Sequence, residues 1–268
     1  MNRSRITSAR RHSLIKELTP RYTAPLPHLA RVRLLSGAQL DRLLANPDSS
    51  AETTARVRRR IMARLAGAGL VALLGRRIGG IRAGSAGHVY TLTTAGHRFL
   101  ALANGHPEPP RKQPSPVPGA LFLAHTLAVS GIYVDLGEAS RGDTFTVHTF
   151  TTEPQCWHRT GNGATLRPDA YTVLRRGNTG HCWWLEIDNG TEIAPRLRAK
   201  IRAYHDHFTS GGVGPNGVPP RVLFTTPDQP RAHLISGLLT HDDDTINATT
   251  HNHAAAYMIK ELHPTGDV

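Results

Sequence analysis

The chain has 268 residues, a formal net charge of +12 and only two cysteines, Cys156 and Cys182. This length is enough for one or two domains, each with a hydrophobic core. Two cysteines without CxxC spacing exclude a disulfide framework and a zinc knuckle. No apolar run approaches the roughly 18 residues that a membrane span needs. These features predict a cytoplasmic protein that has no contact with a membrane.

The positive charge is concentrated in the first half of the chain. Residues 1–119 hold 20 Lys and Arg against 5 Asp and Glu, whereas residues 120–268 hold 12 against 15. Arginine supplies 28 of the 32 cations, and its planar guanidinium suits phosphate and guanine contacts. The first half is therefore predicted to bind double-stranded DNA. A role in solubility alone and a membrane-surface patch are the alternatives, but no basic amphipathic helix rich in Trp or Phe favours the second.

The spacing of prolines predicts how the chain is divided. Residues 105–119 are rich in proline, which can continue neither a helix nor a central strand, so they are predicted to form an extended linker. Two domains would flank this linker, at residues 28–104 and 120–268. Residues 1–27 carry scattered Arg, Pro and Thr and are predicted to be a weakly ordered basic arm.

The first predicted domain contains three helices and a hairpin. The first helix is expected over residues 29–35, and the second begins at a capping box formed by Ser36 and Gln39. A further capping box at residues 49–52 begins the third. Two strand-like runs, residues 70–74 and 88–92, bracket a basic, glycine-rich loop. Three helices followed by a basic hairpin predict a winged helix-turn-helix.

The third helix of this domain has one apolar and one basic face. Val57, Ile61 and Leu65 share a stripe at about 100° per residue, and three arginines fall on the opposite arc. Together with two arginines of the hairpin loop, they are predicted to contact duplex DNA. The predicted DNA-binding residues are Arg56, Arg59, Arg60, Arg76 and Arg77. A charged face that is merely solvated is the alternative.

The second predicted domain alternates helices and strands in the order αβββαβα. The expected elements are a helix over 121–140, a strand over 144–150, two acid-bearing strands, a helix over 191–208, a strand over 221–226 and a helix over 228–239. This order predicts a mixed α/β fold.

Acidic residues interrupt the two adjacent central strands. The run 183–188 alternates with period two, so Glu186 and Asp188 share a face with Trp184 and lie opposite Trp183. If the preceding strand pairs alongside, Asp169 stands next to them. Three like charges held together need a cation, and oxygen ligands suit Mg²⁺ or Mn²⁺. We therefore predict a metal site at Asp169, Glu186 and Asp188.

Lys200 lies on the predicted helix that follows, close to its apolar stripe. An ammonium group at this position must either reach water or find a carboxylate, and Glu186 or Asp188 are the available partners. We therefore predict that Asp169, Glu186 and Lys200 are catalytic. A simple structural ion pair is the alternative.

Several other residues are weaker candidates. A His-x-His pair can hold the metal of a relaxase, but the two pairs here have polar or acidic centres, and positions i and i+2 of a helix diverge by about 200°. Both pairs are therefore predicted to face solvent. A covalent tyrosine and a third acid also stay open. These candidates are His205, His207, His251, His253, Tyr171, Tyr204, Glu138 and Glu153.

Two of these motifs resemble the PD-(D/E)xK nucleases. Pro168-Asp169 matches the first element of their pattern and Glu186-Ile187-Asp188 the second, except that Asp188 stands where the lysine is expected. The resemblance implies a restriction-endonuclease-like αβββαβ core in which the two acids bind the metal and the lysine assists the attacking water. Either Lys200 replaces the missing lysine, or the site is inactive.

Over residues 28–240 the chain also resembles the plasmid replication-relaxation family. The resemblance depends on residues 89–96, 166–170, 185–192 and 221–227, together with His125, Lys200 and Tyr204. It implies a role in replication, relaxation or mobilisation of plasmid DNA, with nicking of DNA expected of some members. The alternative is a non-catalytic regulator that carries a degenerate nuclease fold.

Overall fold

The computed structural model describes residues 7–77, 87–107, 119–142, 144–239 and 244–262. It contains two compact units, Met1–Ser130 and Gly131–Val268. Both units combine helices with a sheet, so the predicted mixed α/β class is confirmed. The division falls inside a helix and not in the proline-rich segment, of which residues 108–118 lie outside the described ranges. The domain bounds drawn from the sequence stay a prediction.

The first unit packs helices around a small antiparallel sheet of order β1-β3-β2. Its elements are α1 (Ser8–Glu17), α2 (Pro20–Thr23), α3 (Pro25–Val32), β1 (Leu34–Ser36), α4 (Gly37–Leu44), α5 (Ala51–Gly67), β2 (Val71–Arg77), β3 (His88–Leu92) and α6 (Thr94–Ala103). Leu29, Leu35, Leu40 and Leu65 are fully buried in its core. Each comes from a different element, so the core connects the helices to the sheet.

Side-chain caps fix where the two central helices of this unit begin. At α4, Gln39 N donates to Ser36 Oγ at 3.2 Å and Ser36 N donates to Gln39 Oε1 at 2.9 Å, which is the predicted capping box. At α5 the cap is Ser50, whose Oγ accepts from Thr53 N. The capping box predicted at residues 49–52 is therefore one residue too early.

Two predictions about the start of the chain are wrong. Residues 7–27 are not a weakly ordered arm, because α1 and α2 form there and Arg11 and Leu14 of α1 are buried. The helix expected over 29–35 ends at Val32. Arg33 adopts a left-handed backbone with φ of 69°, which helical geometry excludes. Leu34 and Leu35 then extend into β1 and pair with β3.

Helix α7 (Ala120–Ala139) corrects the statement that no apolar run is long enough to span a membrane. Residues Ala120–Gly142 are long and apolar enough by length and composition, and 50% of their most apolar stretch is buried inside the fold. Ser130 on this helix is fully buried, and its Oγ donates to the Leu34 carbonyl at 2.6 Å. Burial of a core helix explains such a composition without a membrane.

The second unit is built on a five-stranded sheet of order β10-β9-β8-β7-β4. Its further elements are β4 (Thr146–Thr152), β5 (His158–Arg159), β6 (Thr165–Leu166), β7 (Ala170–Arg176), β8 (Thr179–Ile187), α8 (Ala194–Thr209), β9 (Arg221–Thr226), α9 (Gln229–Ser236), β10 (Ile246–Thr250) and α10 (His251–Glu261). Strands β4, β7 and β8 pair antiparallel, and β8, β9 and β10 pair parallel. The expected αβββαβα order is interrupted by the two-residue strands β5 and β6, which follow β4, and it continues with β10 and α10.

The central strand β8 is covered on both faces. The Trp183 ring contacts Tyr257 of α10 with centroids 6.0 Å apart, and the Trp184 ring contacts Tyr204 of α8 at 5.7 Å. Both tryptophans are fully buried. The period-two alternation therefore directs neighbouring side chains toward different helices, and Glu186, two residues after Trp184, points toward α8.

Candidate active site

The pairing of β7 with β8 brings Asp169 beside Glu186. Ala170 lies opposite Leu185 in this antiparallel register, so Asp169 and Glu186 occupy the next pair of positions. Asp169 Oδ2 accepts from Ile187 N at 2.7 Å, and Asp169 N donates to Leu185 O at 2.9 Å. The backbone of β8 thus holds the first acid in place next to the second.

Helix α8 contributes two hydrogen-bond donors to Glu186. Lys200 Nζ donates to Glu186 Oε2 at 2.8 Å, and Tyr204 OH donates to Glu186 Oε1 at 2.6 Å. Lys200 and Tyr204 are four residues apart and so project from the same side of the helix. Glu186 itself is 3% exposed. This buried carboxyl group is therefore bonded at both oxygens by a cation and a phenol.

Glu192 shares the Lys200 ammonium group with Glu186 and was missed by the sequence analysis as a site residue. Its Oε1 lies 3.0 Å from Lys200 Nζ. Its Oε2 is buried and has no hydrogen-bond partner in the described part of the chain. A buried oxygen without a partner is costly, and this one could accept a further ligand. Its only signal in the sequence is its place just before α8.

The buried contacts shift the pKa values of this cluster. Burial raises the pKa of Glu186 to about 7, although the Lys200 ammonium favours the ionised carboxylate, and Asp169 adds to the rise. Burial alone would lower the pKa of Lys200, but the Glu186 and Glu192 carboxylates outweigh it and the pKa lies above its usual value. Lys200 is therefore a permanent cation, whereas Glu186 titrates near neutral pH.

Asp188 does not join the other two acids. Its Oδ2 accepts from Arg231 Nε of α9 at 2.6 Å, and its Oδ1 accepts from Gly190 N at 2.8 Å. Arg231 also donates to the Glu192 carbonyl oxygen. Among the described residues, no group of three or more His, Cys, Asp and Glu could hold a metal ion. Arg231 already neutralises Asp188, and the metal site at the three acids stays a prediction.

The two tyrosines near the cluster are buried. Burial and the neighbouring Glu186 carboxylate raise the pKa of Tyr204 well above its usual value, and burial also raises the pKa of Tyr171. A nucleophilic tyrosine needs the phenolate form. Tyr204 is held neutral and donates a hydrogen bond to Glu186. This contact positions the Glu186 carboxyl group.

Only part of the histidine pairs faces solvent: His253 is exposed as predicted, His205 and His251 are half-buried, and His207 is buried. His207 is buried against the Trp184 ring, with centroids 5.6 Å apart. His251 Nδ1 lies 2.9 Å from Thr225 Oγ1, and its Nε2 lies 3.1 Å from Asn189 Oδ1. The sheet provides these partners, and the local spacing of the histidines gives no sign of them.

The predicted DNA-binding arginines of α5 are exposed. Arg56, Arg59 and Arg60 face solvent, whereas Ile61 and Leu65 on the other side are buried. Arg76 and Arg77 are the last residues of β2, and their side chains, with residues 78–86, lie outside the described part. Two acids were considered as extra ligands. Glu138 is exposed, and Glu153 lies beside Asp169, because its backbone N donates to Asp169 O at 3.1 Å.

Glu186→Gln is expected to remove a pH-dependent loss of stability. Because burial raises the pKa of Glu186 from 4.5 to about 7, the folded protein binds this proton more tightly than the unfolded chain. Its contribution to the free energy of unfolding is complete below pH 4.5 and is lost as the pH rises through 7. The loss is on the order of 3 kcal/mol. Denaturant unfolding between about pH 5 and 8 measures it.

The Glu52→Gln variant provides the control for this measurement. Glu52 is exposed on α5, so its variant should follow the wild-type pH dependence. The contributions of other titrating groups cancel when the free energy of unfolding of Glu186→Gln is subtracted from that of wild type. A free energy of unfolding that changes with pH equally in wild type and in Glu186→Gln would contradict a buried Glu186 with a raised pKa.

The fold and the cluster define a class of protein: a mixed α/β chain with an arginine-bearing exposed helix in one unit and a buried carboxylate–lysine cluster in the other. The family model described as replication-relaxation matches residues 26–222. The chain therefore belongs to the replication-relaxation family. Membership indicates involvement in the replication of plasmids or mobile elements. A search of curated proteins gives no match.

Proposed function

We propose that the protein binds duplex DNA of a plasmid or mobile element in the cytoplasm and nicks it with a divalent metal held by Asp169 and Glu186, with Lys200 assisting as a cation. One observation supports this above all others: Lys200 Nζ lies 2.8 Å from Glu186 Oε2, and Asp169 occupies the neighbouring strand position. Two acids and one lysine are the groups that the PD-(D/E)xK pattern requires. Here the lysine comes from α8, because Asp188 stands at its usual place in the chain.

The donor set fits Mg²⁺ or Mn²⁺ at two carboxylates. Mg²⁺ is commonly bound through one or two protein carboxylates and keeps several waters. Asp169 and Glu186 supply adjacent carboxyl groups. Glu192, whose Oε1 contacts Lys200, adds a buried Oε2 that has no hydrogen-bond partner among the described residues. When bound, such a metal would polarise the phosphodiester and lower the pKa of a water molecule. Asp188 is not assigned as a ligand.

The protein's own side chains suit the remaining parts of hydrolysis. Burial raises the pKa of Glu186 to about 7 in the protein without metal, so a bound divalent cation would favour the ionised carboxylate that holds it. Lys200 stays charged and can stabilise the negative charge that develops on the phosphoryl oxygens. Tyr204 keeps the Glu186 carboxyl group in one orientation through its 2.6 Å hydrogen bond.

Unit 1 supports DNA binding through its element order and its charge. Helices α3, α4 and α5 followed by the β2–β3 pair are the order of a winged helix-turn-helix, in which the third helix enters the major groove. The exposed Arg56, Arg59 and Arg60 of α5 can pair with phosphates or guanines. Duplex binding should therefore weaken steeply as the salt concentration rises.

Asp169→Asn and Glu186→Gln are each expected to abolish nicking of supercoiled plasmid in Mg²⁺ or Mn²⁺ while duplex affinity is retained. Agarose gels measure the nicking, and fluorescence anisotropy measures the binding.

A variant in which Arg56, Arg59 and Arg60 become Gln should bind duplex more weakly and lower the salt slope by nearly three. If wild type nicks in neither metal, the enzymatic part of the proposal is wrong.

A second candidate function is a non-catalytic regulator of replication or transcription. It is favoured by the engagement of both Glu186 oxygens with Lys200 and Tyr204 and by Asp188 at the position of the motif lysine. Isothermal titration separates the two functions. A regulator would bind duplex DNA and no divalent metal, whereas a nickase would bind Mg²⁺ or Mn²⁺, and Asp169→Asn would weaken that binding.

A further inference from the structure

The short hairpin β5–β6 has one face packed on the core and one face in solvent. His158 pairs with Leu166, and Arg159 pairs with Thr165. On the packed face, the His158 ring lies 5.4 Å from the Trp184 ring, and Leu166 is 5% exposed within the same apolar cluster. Because strand side chains alternate, the flanking positions point outward.

Trp157 and Arg167 form a pair on the outward face. Continuing the β5–β6 register places them opposite each other, and the Arg167 guanidinium carbon lies 4.9 Å from the Trp157 ring centroid. Trp157 is 41% exposed, whereas Trp183 and Trp184 are fully buried. Arg159, two residues after Trp157, is also exposed. The hairpin thus presents an indole ring together with two cations.

Backbone and side-chain contacts attach this pair to the acid cluster. Cys156 Sγ donates to the Pro168 carbonyl at 3.0 Å, next to Trp157 on one side and Asp169 on the other. Glu153 N donates to Asp169 O at 3.1 Å. Arg167 precedes Asp169 by two residues. The Trp157–Arg167 pair is therefore held at a fixed position close to the proposed catalytic acid Asp169.

We propose that Trp157 and Arg167 form a binding platform for an unpaired nucleotide of single-stranded DNA. A base would stack on the exposed indole, and Arg167 with Arg159 would pair with the adjoining phosphates. Every base has a π-face, so stacking of this kind tolerates any sequence. The inference rests on the proposed function in taking DNA as the substrate. It adds that the second unit holds an unpaired strand beside Asp169.

Tryptophan fluorescence tests the platform directly, because only one of the three tryptophans is exposed. An oligothymidine of about 12 nucleotides, added in EDTA, should quench the Trp157 emission. Trp157→Phe should abolish the quenching yet still bind the oligonucleotide by anisotropy. Trp157→Ala should lower the single-strand affinity by roughly 5- to 100-fold and leave the duplex affinity unchanged.

Phe122→Ala is the matched control, since Phe122 is another exposed ring with an arginine over it, Arg33 at 5.2 Å. It should not change the single-strand affinity. Arg167→Gln should reduce the salt slope by about 0.7. The platform is refuted if Trp157→Ala, with wild-type circular dichroism and melting temperature, binds the oligonucleotide as well as wild type. It is equally refuted if wild type binds no single-stranded DNA.

The outcome is separable from that of the proposed nicking activity. Binding is measured without metal, so Asp169→Asn should keep full single-strand affinity. If Trp157 binds the oligonucleotide but the protein never nicks plasmid, only the enzymatic proposal is wrong. If wild type nicks plasmid and Trp157→Ala binds single-stranded DNA with wild-type affinity, only the platform proposal is wrong.

Discussion

Lys200→Met is expected to reduce plasmid nicking by about 100- to 1,000-fold, the usual effect of removing one electrostatic donor from an active site. Methionine retains an unbranched chain of similar length but takes away the ammonium that lies 2.8 Å from Glu186. Duplex affinity should not change. The reaction rate should also move to a different pH range, because the pKa of Glu186 rises further once its cationic partner is absent.

Arg202→Met is the matched control for Lys200. Arg202 is an exposed cation on the same helix, so its loss should leave the nicking rate within about twofold. Lys200→Arg should recover part of the activity, since it keeps the charge but not the compact ammonium geometry. If Lys200→Met nicks at the wild-type rate and pH, Lys200 is only a structural partner of Glu186.

Asp41→Ala is expected to lower the free energy of unfolding by about 3 kcal/mol, the scale on which a buried ion pair is broken. Arg58 is 1% exposed on α5, and its Nε donates to Asp41 Oδ1 at 2.8 Å. Removing the carboxylate leaves a buried guanidinium short of its counter-charge. Differential scanning calorimetry is the suitable measurement, since it resolves two transitions if the units unfold separately.

The Arg56→Ala variant separates this effect from a general loss of charge on α5. Arg56 is exposed, and its removal should change the free energy of unfolding by no more than about 0.5 kcal/mol. The same variant should weaken duplex binding, whereas Asp41→Ala should leave the outward arginines intact. Equal melting temperatures for Asp41→Ala and wild type would show that the pair does not stabilise the unit.

The arginines of α5 show what helical periodicity predicts and what it does not predict. The spacing of Ile61 and Leu65 predicted the buried face, and Arg56, Arg59 and Arg60 are exposed as that face requires. Arg58 was left out of the predicted exposed face, but no partner was predicted for it. Its burial depends on Asp41 of α4, a partner 17 residues away that periodicity within one helix cannot reveal.

The proposed catalytic centre shows the same limit. Alternation along β8 predicted that Glu186 and Trp184 share a face, and the apolar stripe of α8 predicted that Lys200 needs an acid. Glu192 as a second partner of Lys200, and Arg231 as the partner of Asp188, could not be foreseen. Arg231 lies 43 residues from Asp188 along the chain, so no local pattern connects them.

The sequence by itself determined the mixed α/β class, the family, the capping box of α4 and the face of β8 on which Glu186 lies. Each follows from residues a few positions apart, because helix and strand periods act over short distances. Only the tertiary structure decided that Asp188 pairs with Arg231 and that Trp157 is exposed while Trp183 and Trp184 are buried. Those outcomes depend on which helix or hairpin packs on which strand, and that is fixed by burial of the whole core.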